Sequence, residues 1–201
     1  MSSKYPTGMD KVAITNLAIK DISLKSTGNC GLRGFWPSQD EEACSNGVQF
    51  RQVYDDLRGY LDTQGPFDGL VGFSEGASVA ATLMIEDVPR QDHSHRFKCG
   101  IFFCGLLPIL LQLDQDSEIR LANPLVDGVL LRVPTAHIWS RNDKVLPGMS
   151  KQLVELCDKN SRGEVVHEIG HDVPGSSSDE SLKEAVRLIL RTIEKSKDYT
   201  Q

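Results

Sequence analysis

The cysteines of this chain have no metal-binding or redox spacing. Cys30, Cys44, Cys99, Cys104 and Cys157 are odd in number and widely separated, with no CxxC pair among them. That excludes a zinc ribbon, a thioredoxin-like motif and a disulfide framework, and it suits a reducing, cytoplasmic compartment. Long apolar runs are missing as well. The longest, residues 100–113, is interrupted by Pro108 and is too short to span a bilayer. The opening Met1-Ser2-Ser3-Lys4-Tyr5-Pro6 lacks the apolar core of a signal peptide. Positive charge is not in excess: Lys and Arg number 22 against 28 Asp and Glu, a net charge of −6. Without a basic stripe, nucleic acid and anionic membrane surfaces are excluded as partners. There are no internal repeats, which excludes a solenoid or propeller. What is present is ordinary: 39% hydrophobic and 25% charged residues, the balance of a globular chain rather than a disordered or fibrous one. A length of 201 residues predicts a single domain.

The hydrophobic periodicity alternates between two types. Val12, Ile14, Leu17, Ile19, Ile22 and Leu24 give brief period-two pairs, which predict one or two short strands. The segment Ser26-Thr27-Gly28-Asn29-Cys30-Gly31 is a loop by composition. Phe50, Val53, Tyr54, Leu57 and Leu61 follow at helical spacing, and Gly65-Pro66 stops that helix. Residues 67–73, 98–104, 134–140 and 164–168 read as short buried strands. Residues 75–88 read as a helix ended by Pro89, and a second helix starts at Pro147. Residues 105–133 are long and mixed, and are expected to form a lid or pocket wall. Within them, Leu106-Leu107-Pro108-Ile109-Leu110-Leu111 either walls an acyl pocket or belongs to the core. The last helix carries Leu182, Ala185, Val186, Ile189, Leu190 and Ile193 as an amphipathic stripe, with Ser177 and Glu180 as a capping box. Strands alternating with helices predict an α/β fold with a mostly parallel sheet flanked by helices.

Gly72-Phe73-Ser74-Glu75-Gly76 matches G-x-S-x-G at the junction of a predicted strand and a predicted helix. The string alone is weak; its context is what carries meaning. A sharp strand-to-helix turn lifts a serine hydroxyl above the sheet edge, and the flanking glycines admit the close backbone approach. Ala77, Ser78, Ala80 and Ala81 keep the helix thin against the sheet. Ser74 is therefore a candidate nucleophile, which needs a base. All five histidines follow it. His93 and His95 lie in a polar loop and are expected to be solvated, without the further ligands a metal would need. His137, within a strand, is expected to be a core histidine. His171 lies just after the last strand, in a loop opened by Gly170, and is the candidate base, with His167 as the substitute. The candidate acid is Asp143 on the loop after the third strand. The alternative is that it serves only as a helix cap, a role for which Asn142 competes. Asp172 and Glu168 are the alternative acids. The backbone N–H of Glu75 is the first expected oxyanion donor, and Gly28, Gly31 and Gly34 are candidate stand-ins for the second.

These stretches resemble the fungal serine-hydrolase (FSH) family of the α/β-hydrolase superfamily. The resemblance rests on the segment from Gly65 through Ser74 to Ala77, and on Arg33-Gly34-Phe35-Trp36 upstream of it. Asn142-Asp143 through Pro147, and Gly170-His171-Asp172-Val173-Pro174, complete it. It covers residues 33–193. The family includes small esterases and the thioesterases that release polyketides from their synthases. The resemblance implies Ser74 as nucleophile, Asp143 as acid and His171 as base, with no metal or organic cofactor. It further implies a small-molecule acyl ester or thioester as substrate, and an acyl carrier protein or polyketide synthase as a partner. The family usually opens with a strand leading into a His-Gly oxyanion loop, and residues 1–32 show no such strand-and-loop unit. The expectation is thus one α/β-hydrolase domain over residues 1–201. Residues 1–32 form a reduced or atypical N-terminal segment, through truncation, alternative splicing or a different oxyanion source. Hydrolysis through a Ser74 acyl-enzyme is the favoured activity. A non-catalytic hydrolase-like binding protein and an acyltransferase with the same triad are the alternatives.

Overall fold

A computed structural model describes residues 12–14, 43–87, 97–111, 119–175 and 179–198. Strands β1 (Val12–Ile14), β2 (Gly69–Phe73), β3 (Cys99–Phe103), β6 (Thr135–Ser140) and β7 (Arg162–His167) form one sheet in the order β1-β2-β3-β6-β7. Every pairing in it is parallel. This is the mostly parallel sheet with helices that the alternating pattern predicts, and it fits the α/β-hydrolase fold that the resemblance implies. Parallel neighbours need crossover connections, so helices α1 (Ala43–Gln64), α2 (Glu75–Glu86), α4 (Met149–Glu155) and α5 (Asp179–Lys197) lie between or after the strands. Among the described residues, no helix is long and apolar enough to cross a membrane.

Burial explains where the elements form. In α1, Tyr54, Leu57 and Leu61 fall three and four residues apart and are all buried. The helix ends at Gln64, before the Gly65-Pro66 pair. α2 is buried along most of its length, and its small residues let it lie close to the sheet. Its two hydroxyls are satisfied within the core. Ser78 Oγ donates to the Leu107 carbonyl at 2.6 Å, and Thr82 Oγ1 accepts from the Ile109 N–H at 2.9 Å.

One expectation is refined and two are corrected. The segment expected as a lid or pocket wall contains an antiparallel pair, β4 (Ile109–Leu111) with β5 (Ile119–Leu121), and the one-turn α3 (Pro124–Asp127). Leu106, Leu107 and Ile109 are buried, so these residues follow the core alternative. The first correction concerns Pro147, which stands just outside α4. That helix starts at Met149, after Gly148 in the left-handed region at φ 76°. The reason is Asp143, whose Oδ1 accepts the N–H groups of Val145 at 2.9 Å and Leu146 at 3.0 Å and draws them into a tight turn. The second is α5. Ala185, Leu188, Ile189 and Ile193 pack against Ile101, Ala136 and Ile138, whereas Val186 and Leu190 are exposed. One residue is about 100° around a helix, so a face centred near Ala185 and Ile189 turns their C-terminal neighbours outward. Thr192 and Ser196 occupy the inner face instead, their hydroxyls donating to the carbonyls of Leu188 and Ile193. Ser177 of the expected capping box lies outside the described residues.

The strand registers align one end of the sheet. Phe73 pairs with Phe103, Phe103 with Ile138, and Ser140 with His167. Residues that follow these four strands therefore emerge side by side at the carboxyl edge, where open parallel sheets bind ligands.

Candidate active site

Ser74 follows β2 directly and precedes α2. Its backbone takes φ 55° and ψ −121°, a strained region for a residue with a side chain. Two hydrogen bonds hold it there. The Ser74 N–H donates to the Phe103 carbonyl of β3 at 2.9 Å, and the Ala77 N–H donates to the Ser74 carbonyl at 3.0 Å. Gly72 makes the bend feasible. A β-carbon at Gly72 would lie 2.4 Å from the Gly76 carbonyl oxygen and 2.5 Å from the Ala77 backbone, closer than real contacts allow. Glu75 is the first residue of α2, where backbone N–H groups lack intrahelical acceptors. Its side chain is half-buried, and burial raises its carboxyl above the ordinary range.

Asp143 lies three residues beyond β6 and is 5% exposed. Both of its oxygens are engaged. Oδ1 takes the Val145 and Leu146 N–H groups, and Oδ2 lies 2.7 Å from His171 Nδ1. Burial alone pushes this carboxyl up. The hydrogen bonds from His171 and the two backbone amides outweigh it, so the group sits below its ordinary value. The bond to His171 and the local turn are therefore made together by one side chain.

His171 Nε2 lies 2.9 Å from Ser74 Oγ, so Ser74, His171 and Asp143 stand in one hydrogen-bonded line. The loop that carries the imidazole is shaped by Gly170 at φ 81°. Ser140 ties this loop to the acid loop, because its Oγ accepts the Asn142 N–H at 3.1 Å and the Gly170 N–H at 3.2 Å. The Phe73 ring flanks the imidazole, with centroids 5.1 Å apart. Cys104, the residue after β3, sits below the same loop. Its Sγ lies 3.4 Å from the Asp172 carbonyl oxygen, and burial pushes its thiol up to about 11.

The other candidates are not brought to this line. Asn142 donates through Nδ2 to the exposed Glu168, and Asp172 Oδ1 accepts the Val173 N–H at 2.8 Å. His137 is buried and bonds Thr135 Oγ1 at 3.0 Å, as a core histidine would. His167 is 2% exposed, and neither ring nitrogen has a partner among the described residues. Gly28, Gly31, Gly34, the Arg33-Gly34-Phe35-Trp36 segment, His93 and His95 lie outside the described residues. Sequence reasoning misses Phe73, Ser140 and Cys104. Phe73 fills a variable position of the G-x-S-x-G string, Ser140 carries no motif of its own, and the left-handed backbone of Cys104, at φ 43°, has no signature in its residue type.

The model of the serine hydrolase (FSH1) family matches residues 3–186. Esterase FPY3 of Fusarium mangiferae is 38% identical over 123 residues, 60% of this chain and 54% of that protein. Hydrolase phiM of Talaromyces stipitatus is 33% identical over 153 residues, 69% of this chain and 56% of that protein. Esterase OVCA2 of Danio rerio is 26% identical over 161 residues, 76% of this chain and 66% of that protein. The chain thus spans between half and two thirds of the length of these relatives. The family match runs over β2, β3, β6 and β7 and includes Ser74, Asp143 and His171. By that match, the chain belongs to the serine hydrolase (FSH1) family.

Proposed function

We propose that the protein hydrolyses a carboxylic ester or thioester through an acyl-enzyme on Ser74. The observation that carries this reading is the unbroken line from Ser74 Oγ to His171 Nε2 at 2.9 Å and from His171 Nδ1 to Asp143 Oδ2 at 2.7 Å. In the reactive tautomer, Nδ1–H donates to Asp143 and the Nε2 lone pair accepts the serine proton. Ser74 Oγ attacks the acyl carbonyl while Nε2 takes its proton. The buried Asp143 carboxylate stabilises the imidazolium that forms. The Glu75 N–H, at the positive end of α2, serves as an oxyanion donor in this scheme. Collapse of the tetrahedral intermediate expels an alcohol or thiol, which recovers the proton from Nε2. Water activated by the same nitrogen then releases the acid. No metal or organic cofactor enters any step.

The names of the relatives, esterase and hydrolase, support a small-molecule ester as substrate. We extend this to a polyketide or other acyl thioester, with an acyl carrier protein or polyketide synthase as its donor. A cytoplasmic site of action is supported by Cys99, Cys104 and Cys157, which are free and buried.

A fluorophosphonate probe and a panel of chromogenic esters and acyl thioesters test the reading. The wild-type protein should be labelled on Ser74 and turn over at least one panel member, and Ser74→Ala should do neither. Turnover that survives in Ser74→Ala overturns the reading. Product analysis with and without an added alcohol or amine distinguishes hydrolysis from acyl transfer.

A further inference from the structure

A thiol stands beside the proposed acid and base. Cys104, the residue after β3, is fully buried. Its backbone and that of Ser74 are the two non-glycine positions with positive φ among the described residues. Such strain persists only where the surroundings over-determine it. Here the Cys104 N–H donates to the Ile138 carbonyl at 2.9 Å, and Sγ lies 3.4 Å from the Asp172 carbonyl oxygen and 3.9 Å from that of Gly170. These two carbonyls flank His171. The sulfur, a carboxylate oxygen of Asp143 and a ring nitrogen of His171 all lie within 4.8 Å of one another.

Thiolate, imidazole and carboxylate, supplied by three separate loops, are the donor set of zinc and its congeners. Bonds of about 2.0 Å to nitrogen and oxygen and about 2.3 Å to sulfur, at tetrahedral angles, put ligand atoms about 3.3–3.5 Å apart. The His171–Asp143 pair, at 2.7 Å, must open by only about 0.6 Å to reach that spacing. The sulfur must close in by at most about 1.3 Å.

We propose that Cys104, Asp143 and His171 Nδ1 form a binding site for a zinc-class divalent cation, and that occupation of this site switches the hydrolase off. Inhibition rests on the triad reading given above; binding of the ion does not. The ion accepts lone pairs from the Cys104 thiolate, an Asp143 oxygen and His171 Nδ1, with water as a fourth ligand. The thiol proton passes to the buffer. The Nδ1 proton is displaced and, through solvent, the ring regains a proton at Nε2. The imidazole stays neutral, no electron moves, and one proton is released per ion. The Nε2 N–H now faces Ser74, leaving no lone pair to take the serine proton.

The test uses the full chain, reduced and stripped of metal. Zinc chloride is titrated against ester hydrolysis, and cadmium chloride is followed by thiolate-to-metal absorbance and by cadmium-113 NMR. Wild-type protein should be inhibited reversibly, with activity restored by EDTA, and its cadmium resonance should report one sulfur ligand. Cys104→Ser, normalised to its own metal-free rate, should need at least about tenfold more zinc, since even loss of an outer hydrogen-bond partner weakens metal sites about 10–100-fold. Ser74→Ala has no turnover in this scheme but should bind cadmium as wild type does, which separates a failure of the metal site from a failure of the triad reading. An inhibition midpoint unchanged in Cys104→Ser overturns the proposal. So does a wild-type cadmium signal without sulfur, a readout that needs no variant to fold.

Discussion

In Asp143→Asn, one oxygen becomes an amide nitrogen while the shape of the side chain is kept. The consequence turns on which atom faces His171. Asp143 is 5% exposed, and its Oδ1 holds the Val145 and Leu146 N–H groups at 2.9 and 3.0 Å. If the amide oxygen turned toward His171, the NH2 group would confront two backbone donors in a buried place. Leaving both without an acceptor costs about 1–3 kcal/mol each. The cheaper arrangement keeps the oxygen on the turn and points NH2 at His171 Nδ1. An amide NH2 only donates, so the ring must offer a lone pair at Nδ1 and carry its proton on Nε2. That proton then faces Ser74 Oγ, 2.9 Å away, and the serine proton has nowhere to go. The expected loss in kcat is about 10⁴-fold, or about 5.4 kcal/mol of barrier at about 1.36 kcal/mol per decade. KM should change little, because the substituted atom is remote from the acyl group. The assay is steady-state hydrolysis of a chromogenic ester, with the rate of fluorophosphonate labelling as a measure of nucleophilicity without turnover. A kcat within tenfold of wild type in a folded variant would refute the tautomer argument and the role proposed for Asp143.

Gly72→Ala should destabilise the protein by about 3 kcal/mol and abolish labelling of Ser74. The new β-carbon meets the backbone of Gly76 and Ala77, which has no flexible end to move aside; an unchanged urea midpoint would contradict this. Thr82→Val should cost about 1–3 kcal/mol in urea denaturation without slowing ester hydrolysis, because the Ile109 N–H loses its acceptor far from the proposed chemistry. Equal stability would mean that this amide finds another partner. Acid sensitivity should follow Asp143. Its folded-state carboxyl sits below the ordinary value, so its contribution is present above the unfolded value of about 4 and is lost as the pH falls through the folded value. Between about pH 5 and about pH 3, wild type should lose more stability than Asp143→Asn; parallel losses would show that the carboxyl is not held down.

Much of the architecture is legible in the sequence because it depends on local pattern. Runs such as Leu70 to Phe73 and Ile101 to Phe103 are short, apolar and bounded by turn residues, and they form parallel strands. Gly72 flags the bend at Ser74 through a steric rule that needs no knowledge of the rest of the chain. Asp143 and His171 stand out as residues following particular strands, and the structure brings both to Ser74. Where the pattern fails, the missing information is long-range. The six apolar positions of α5 form a stripe wider than the sheet can cover. Periodicity therefore points Val186 and Leu190 inward, although only Ala185 and its partners meet the sheet. Residues 105–133 alternate too little to declare a hairpin, and it forms through burial beneath α2.

By itself the sequence determined the kinds of element, their order and the residue types at the strand ends, because periodicity and turn chemistry act over a few neighbouring residues. Tertiary structure decided which strand ends adjoin. It set Ser74 beside Phe103, let the Ser140 hydroxyl bind both the acid loop and the histidine loop, and brought the Cys104 sulfur under His171. The physical reason is range. A hydrogen bond or a metal bond demands placement within a fraction of an ångström of residues up to 97 positions apart. Only the register of the parallel sheet fixes positions that closely over such separations.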